Sequence, residues 1–242
     1  MAARKEPIVL LVAVVAALGV SRIHAYDPPT WWMEVSWVLA GVPLLVATFR
    51  RFPLTPLLYR LIALHALILI VGGHYTYARV PLGDWMKAWF GFTRNNYDRI
   101  GHLVQGFVPA ILAREILIRT SPLGEAWKAS GRASRWLPVL VVAICLAFSA
   151  FFEFIEWWAA LIGGEAATNF LATQGDIWDT QWDMFCAFSG AILAQLLLSR
   201  IHDRQLRGRQ LRGTGVFSTA STGTVPEVGR VGAARRPPAP NA

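Results

Sequence analysis

Three short segments of the chain hold ionisable side chains at spacings that could support chemistry. In the first segment, Asp98, His102 and Gln105 share one face of a helix, because residues three and four positions apart are neighbours on it. In the second segment, Glu153 and Glu156 are a pair of carboxylates three residues apart. An ionisable group at the centre of a bilayer costs at least about 2.5–3.5 kcal/mol. Because both segments lie in apolar runs, these side chains are predicted to face the interior of a helix bundle and to pair there.

The third segment carries Asp176, Asp179 and Asp183, which again line one helix face. Some of the acidic residues also have a purely structural interpretation. Asp176 precedes an apolar run, where an aspartate can cap the N-terminus of a helix. Asp98 and Asp179 lie near helix N-termini, where the helix dipole favours a negative charge. These alternatives leave His102, Glu153, Glu156 and Asp183 as the residues to which capping does not apply, since they lie well inside predicted helices.

One imidazole among several carboxylates suits a divalent cation, with Zn²⁺, Mn²⁺ and Mg²⁺ as the candidates. Several like charges at one depth repel one another unless they are protonated, bound to a metal or paired with a cation such as Arg94 or Arg99. The predicted metal ligands are His102, Glu156, Asp179 and Asp183. Glu153 is the predicted general base, since a bound metal can activate water for hydrolysis. The other side chains predicted to line the site are those of His74, Asp98, Arg99, Gln105, Gln174 and Asp176.

Long apolar runs must position these side chains. Of the 242 residues, 55% are hydrophobic and 16% charged, against roughly 25% charged in an average soluble domain. This composition excludes a soluble enzyme, a coiled coil and a disulfide-stapled secreted module, and it predicts that Cys145 and Cys186 are buried free thiols inside apolar runs. A helix that crosses a bilayer needs about 20 apolar residues. The runs that qualify are 7–24, 31–49, 57–79, 98–118, 136–162 and 178–199. The predicted fold is an all-α, polytopic membrane bundle of six transmembrane helices.

The distribution of basic residues predicts the orientation of this bundle. Lysine and arginine cluster before the first run and in every second loop, whereas loops 25–30 and 163–177 contain neither. Because positively charged loops stay on the cytoplasmic side, both termini are predicted to be cytoplasmic. Four helices then present their acids and imidazoles at one level, just beneath the outer surface.

The chain is predicted to divide into a transmembrane domain, residues 1–202, and a disordered basic cytoplasmic tail, residues 203–242. The tail is rich in Arg, Gly, Ser, Thr, Ala and Pro and has no apolar periodicity, so it cannot bury enough surface to fold. Its arginines are expected near anionic lipid headgroups. The excess of 23 basic over 15 acidic residues follows from this topology and tail, and no nucleic-acid partner is expected.

The same three segments resemble the YjdF family of bacterial inner-membrane proteins, a group of unknown function. The motifs that carry the likeness are Asn96–His102, Glu153–Trp157 and Thr173–Asp179 with Asp183. The resemblance covers roughly residues 8–200 and implies a multi-pass protein of the bacterial inner membrane. More distantly, the order of Asp98, Arg99 and His102, then Glu153 or Glu156, then Asp179 and Asp183 is similar to VanZ-like membrane proteins, which are linked to glycopeptide resistance. The Trp-rich segment Gln174–Trp182 departs from the VanZ pattern.

Three hypotheses for function follow from these residues. In the first, a site near the outer face that can hold a divalent metal such as Zn²⁺ or Mn²⁺ serves an enzyme that acts on an envelope lipid or a lipid-linked substrate. In the second, the same carboxylates bind a cation or relay protons in an ion- or proton-coupled transporter. In the third, the protein is a non-catalytic membrane accessory protein whose buried charges only specify how its helices pair.

Overall fold

The computed structural model describes residues 2–130, 134–164 and 168–218. Within these ranges the regular secondary structure is helical, with no strand. In chain order the helices are α1 (Ala2–Arg22), α2 (Pro28–Thr48), α3 (Pro56–Tyr75), α4 (Pro81–Phe90), α5 (Tyr97–Thr120), α6 (Leu123–Ser130), α7 (Trp136–Gly163), α8 (Thr168–Leu171) and α9 (Asp179–Ser218). A short 3-10 turn, Tyr77–Arg79, lies between α3 and α4. The predicted all-α class is confirmed.

Five of these helices are long and apolar enough to cross a membrane: α2, α3, α5, α7 and residues Asp179–Arg209 of α9. The predicted multi-pass bundle therefore holds for these five helices. Helix α1 corresponds to the predicted span 7–24 but is not among them, since charged residues lie at both of its ends. Cys145 and Cys186 are both free, as predicted; Cys145 is buried, whereas Cys186 is only half-buried.

Two predicted boundaries differ from those of the helices. The predicted span 57–79 is interrupted after Tyr75, because Thr76 adopts a φ of 61° that no helix continues through. The last predicted span, 178–199, is the beginning of the much longer α9. Part of the predicted tail, residues 203–218, therefore lies in a helix, and its remainder, 219–242, falls outside the described residues. A compact unit ends at Leu206, and a second unit begins at Arg207.

Helix α5 is the element on which the site depends. It packs against α3, α6 and α7, and two glycines let its backbone approach α9. A Cβ atom at Gly106 would overlap the backbone carbonyl of Ala187, and one at Gly190 would overlap that of Leu103. Small residues at such contacts allow transmembrane helices to pack closely. The result is that the first turns of α5 and α9 lie side by side.

A buried polar network joins the C-terminal part of α5 to the middle of α9. The Glu115 carboxylate accepts hydrogen bonds from the Thr55 hydroxyl at 2.8 Å and from Nε2 of His202 at 3.0 Å. Arg114 donates to Nδ1 of His202 at 3.0 Å and pairs with Asp203 at 2.8 Å. Because an arginine can only donate, Nδ1 of His202 must be the acceptor and Nε2 must carry the proton. The side chains of Glu115, His202 and Arg114 therefore all have hydrogen-bond or ion-pair partners, and the network fixes how the two helices align.

Candidate metal centre

Helices α5, α7 and α9 bring one imidazole and three carboxylates together at one end of the bundle. Helix α5 contributes Asp98 and His102, which are one turn apart, while Glu153 comes from α7 and Asp183 from α9. All four side chains are buried: the exposed fraction of the residue is 7% for Asp98, 4% for His102, 7% for Glu153 and 1% for Asp183. Three separate helices must therefore pack correctly to form the group.

The distances around the imidazole are too long for hydrogen bonds. Nε2 of His102 lies 3.6 Å from Oδ1 of Asp98 and 3.9 Å from Oδ2 of Asp183. Nδ1 lies 4.0 Å from Oε1 of Glu153. A hydrogen bond between such atoms would measure about 2.7–3.2 Å. Donor atoms that share a tetrahedral Zn²⁺ at about 2.1 Å are separated by about 3.4 Å. Ligand atoms from Asp98, His102 and Asp183 all lie within 4.8 Å of one another, so the spacing fits a shared cation better than direct pairing.

Several polar atoms of this group have no hydrogen-bond partner within the described part of the chain. They are Nδ1 of His102, Oε1 of Glu153 and Oδ1 of Asp183. Oε1 of the neighbouring Gln105 also lacks a partner. A buried polar atom without a partner costs about 1–3 kcal/mol. Buried polar atoms around both sides of one imidazole are therefore available to a ligand that would satisfy them.

Two arginines neutralise the acids on one side of the group. Arg94 is buried and pairs with Asp179, with Asp176 at 3.3 Å and with Asp98 at 3.8 Å. Arg99 pairs with the same Asp176 at 2.5 Å. The predicted pairing of these two cations with the acids is thus present in the structure. Neither arginine forms an ion pair with Glu153 or Asp183 among the described residues, so those carboxylates have no cation beside them.

Two groups that border the site outside the membrane-spanning helices have shifted pKa values. The backbone N–H of Trp178, together with the charges of Arg99 and Arg94, holds the pKa of Asp176 below its usual value. Asp176 is therefore an anion at neutral pH. Burial raises the pKa of Tyr77 well above its usual value, and the acid Glu34 adds to the effect. Tyr77 therefore keeps its phenolic proton and can only act as a neutral hydrogen-bonding group.

The predicted metal ligands do not all occupy equivalent places. His102 and Asp183 face each other, and Asp98, predicted only to line the site, lies with them. Asp179 lies next to the group, but Arg94 holds its carboxylate. Glu156 is close enough to Asp98 and Asp183 to interact with them electrostatically.

The remaining predicted site residues lie at the periphery or elsewhere. Gln105 is buried on α5 near His102. The Gln174 side chain makes two hydrogen bonds to the backbone of Asn95. It accepts one from the N–H at 2.9 Å and donates one to the carbonyl at 2.8 Å. Nδ1 of His74 lies 2.8 Å from the backbone oxygen of Ser21 on α1. His74 is therefore directed toward α1 and not toward the carboxylates.

The sequence interpretation missed Glu34, a buried acid on α2 that interacts electrostatically with Asp98 and Tyr77. The Tyr77 ring packs where Cβ atoms at Gly72 and Gly101 would stand, so it wedges between α3 and α5. The signal for Glu34 was present, because a lone acid in an apolar run is costly unless it faces a polar interior.

Comparisons with known proteins agree with the membrane architecture. A family described as "Predicted membrane protein (DUF2238)" matches residues 6–204. The chain is 54% identical over 185 residues to inner membrane protein YjdF of Escherichia coli (strain K12), and the match covers 76% of this chain and 85% of that protein. No solved structure matches. Neither match is to a VanZ-like protein, so that likeness stays a prediction. The predicted resemblance to YjdF is confirmed, and the chain belongs to the DUF2238 family of multi-pass membrane proteins.

Proposed function

We propose that this protein binds a divalent cation between Asp98, His102 and Asp183. The observation that carries the proposal is the set of gaps around Nε2 of His102, which measure 3.6 and 3.9 Å to the two aspartates. These gaps are too wide for hydrogen bonds and are close to the separation of two ligands on one metal. A mixed set of imidazole and carboxylate donors suits Zn²⁺ or Mn²⁺.

Charge balance supports the same proposal. Asp98, Glu153, Asp183 and the nearby Glu34 and Glu156 are all acidic, and their mutual repulsion is strong in a medium of low dielectric constant. Arg94 is already shared among three aspartates. A dication offsets two of the remaining negative charges at the place where they converge.

The cation would serve chemistry on an envelope lipid or a lipid-linked substrate. When bound, such an ion polarises an ester or phosphoryl oxygen and lowers the pKa of a coordinated water. Glu153 lies on the Nδ1 side of His102, where a carboxylate can orient a metal-bound imidazole. The site lies within membrane-spanning helices, and the related YjdF is an inner membrane protein. An amphiphile of that membrane can reach such a site from the bilayer.

Metal analysis of the purified protein tests the proposal. After incubation with Zn²⁺, Mn²⁺ or Mg²⁺ and removal of free ions, mass spectrometry of the metal should find a stoichiometric ion in the wild type. His102→Ala and Asp183→Asn should lose it while keeping the wild-type unfolding midpoint to within a few degrees. The matched control is His74→Ala, since His74 lies at the same end of the bundle but outside the group. Absence of metal from the wild type, or full retention in both ligand variants, would contradict the proposal.

An ion- or proton-coupled transporter is the second candidate, because the acids come from several helices and outnumber the cations beside them. Reconstituted vesicles distinguish the two. Flux that depends on a cation or on a pH gradient, and that disappears in Glu153→Gln, would favour transport over hydrolysis. If neither metal nor flux is found, the buried charges act only in helix pairing, as in an accessory protein.

We further infer that α1 is a sixth span and that both termini face the cytoplasm of the bacterium. Helix α1 packs against α2 and α3, and its outward-facing apolar side chains are Ile8, Val9, Val12, Val15 and Val20. A soluble helix would leave that stripe in water. In a variant that lacks Cys145 and Cys186, an impermeant thiol reagent should label Ala166→Cys from outside and Ala2→Cys only after lysis. The opposite pattern would overturn the orientation.

A further inference from the structure

An apolar groove lies between α2, α7 and α8, next to the candidate metal centre. Its volume is about 280 Å³. The side chains that line it are those of Trp32, Met33, Ser36, Trp37, Phe152, Ile155 and Phe170. The only hydroxyl among them, on Ser36, donates to the backbone oxygen of Met33 at 2.6 Å. Apart from the indole N–H groups of Trp32 and Trp37, the groove therefore offers hydrocarbon and aromatic surface.

Phe152 separates this groove from the metal centre. Its ring lies 5.7 Å from the His102 ring in an edge-to-face arrangement. The same ring contacts Trp37 at 6.3 Å and Phe170 at 6.4 Å, and both of those residues line the groove. Glu153, the next residue, belongs to the polar group. One turn of α7 thus presents an apolar face to the groove and a carboxylate to the imidazole, with a single ring between them.

The position of the groove indicates what occupies it. Helices α2 and α7 both belong to the apolar spans, and Trp32, which lines the groove, is about half exposed. In a bilayer, an open apolar groove on such helices faces hydrocarbon. Its 280 Å³ lies just below the roughly 300–1,000 Å³ of sites that enclose a drug-sized molecule. The volume suits a segment of one chain and not a whole lipid.

We propose that this groove binds the hydrocarbon chain of an amphiphilic substrate whose polar head reaches the metal centre past Phe152. The inference rests on the proposed function, because it identifies the substrate of that site as a molecule with a polar head and a long apolar chain. The chain anchors the molecule in the groove, and the Phe152 ring is the side chain that the head must pass to reach His102. The occupant that we expect is the acyl chain of a phospholipid, the hydrocarbon that surrounds these spans in a bilayer.

Photolabelling tests the groove directly. The protein is placed in nanodiscs that contain a phospholipid with a diazirine on its acyl chain, and labelled peptides are mapped after irradiation. Residues 32–37 and 152–155 should be labelled at least about fivefold more than the exposed apolar face of α1, which corresponds to about 1 kcal/mol of preference. An excess of unlabelled polyprenyl phosphate that removes the signal would identify the isoprenoid as the better ligand. Competition by unlabelled phospholipid alone would identify the acyl lipid.

Substitutions that fill the groove with a larger side chain test whether the labelling depends on its volume. Ser36→Trp, or Met33→Trp if the first variant does not fold, should reduce labelling at the groove to the level of the α1 face. Leu44→Trp is the matched control, since Leu44 is exposed on the same helix and does not line the groove. Uniform labelling of all lipid-facing residues would overturn the proposal, as would cross-links at the groove between two copies of the chain.

Metal content separates this inference from the proposed function. Ser36→Trp should keep its metal, because Ser36 does not touch the ligands. If the wild type binds metal but shows no preferential labelling, the groove proposal fails alone. If labelling is preferential but no metal binds, the groove holds a chain and the proposed metal centre fails.

Discussion

At the scale of single residues, two buried histidines show how a structural histidine differs from a candidate ligand. Both ring nitrogens of His202 have partners at 3.0 Å, Arg114 on Nδ1 and Glu115 on Nε2. Nδ1 of His102 has no hydrogen-bond partner among the described residues, and the three carboxylates around the ring lie 3.6–4.0 Å from its nitrogens. Burial alone therefore does not distinguish a structural histidine from a candidate ligand. The pairing of its two nitrogens does.

Arg94 is the residue whose removal should harm the fold most directly. Arg94→Gln would leave Asp98, Asp176 and Asp179 without their shared cation. Removing one partner of a buried ion pair costs about 3–5 kcal/mol, so a fall of that size in the free energy of unfolding is expected. The free energy of unfolding is measured in detergent, with circular dichroism as the signal that reports unfolding.

The control for this change is Arg79→Gln. Arg79 is exposed and stacks over the Tyr26 ring at 4.1 Å, so its loss should cost no more than about 1 kcal/mol. Arg94→Lys should recover only part of the stability, because a lysine cannot reproduce the planar fork of donors. Equal effects of Arg94→Gln and Arg79→Gln would show that the ion pairs add little.

At the scale of elements, the contact between α5 and α9 is expected to set the distance between the candidate metal ligands. Gly106→Ala and Gly190→Ala would each place a methyl group against the backbone of the other helix. Overpacking of this kind typically costs about 1–3 kcal/mol. Because the two helices must separate to accept the methyl group, both variants should also bind less metal than the wild type. Gly41→Ala is the control, since a Cβ atom there meets nothing within 4 Å. If metal binding is unchanged in both variants, the helix contact does not position the ligands.

Sequence patterns predicted well where the helices lie along the chain. They predicted only in part which neighbouring helix each polar side chain faces. Periodicity placed Asp98 and His102 on one face because that relation is local to a single helix. It could not place His74, whose helix is rotated so that the imidazole meets Ser21 of α1. Glu34 was missed for the same reason, since its neighbours belong to other helices. Relations between helices depend on crossing angles and on contacts such as Gly106 with Ala187, which no single-helix pattern contains.

At the scale of the whole bundle, two buried polar groups lie far apart along the contact between α5 and α9. His102 and Glu115 are separated by about 20 Å, taking 1.5 Å per residue along α5. One group has matched partners and the other has unmatched atoms. Groups this far apart usually contribute independently to stability. The matched network can therefore hold the two helices in register while the unmatched group remains available for a ligand.

This separation predicts how a bound metal changes the stability of the protein. A cation that binds only the folded state, present at about 100 times its dissociation constant, adds about 2.7 kcal/mol to the free energy of unfolding. Titrating Zn²⁺ or Mn²⁺ should therefore raise the unfolding midpoint of the wild type. Asp183→Asn should abolish that rise. His202→Ala should lower the midpoint in the absence of metal, because it leaves Glu115 and Arg114 buried without their shared partner, yet it should keep the full metal-dependent rise. Loss of the rise in His202→Ala would show that the two ends of the bundle are coupled, and an undiminished rise in Asp183→Asn would place the cation elsewhere.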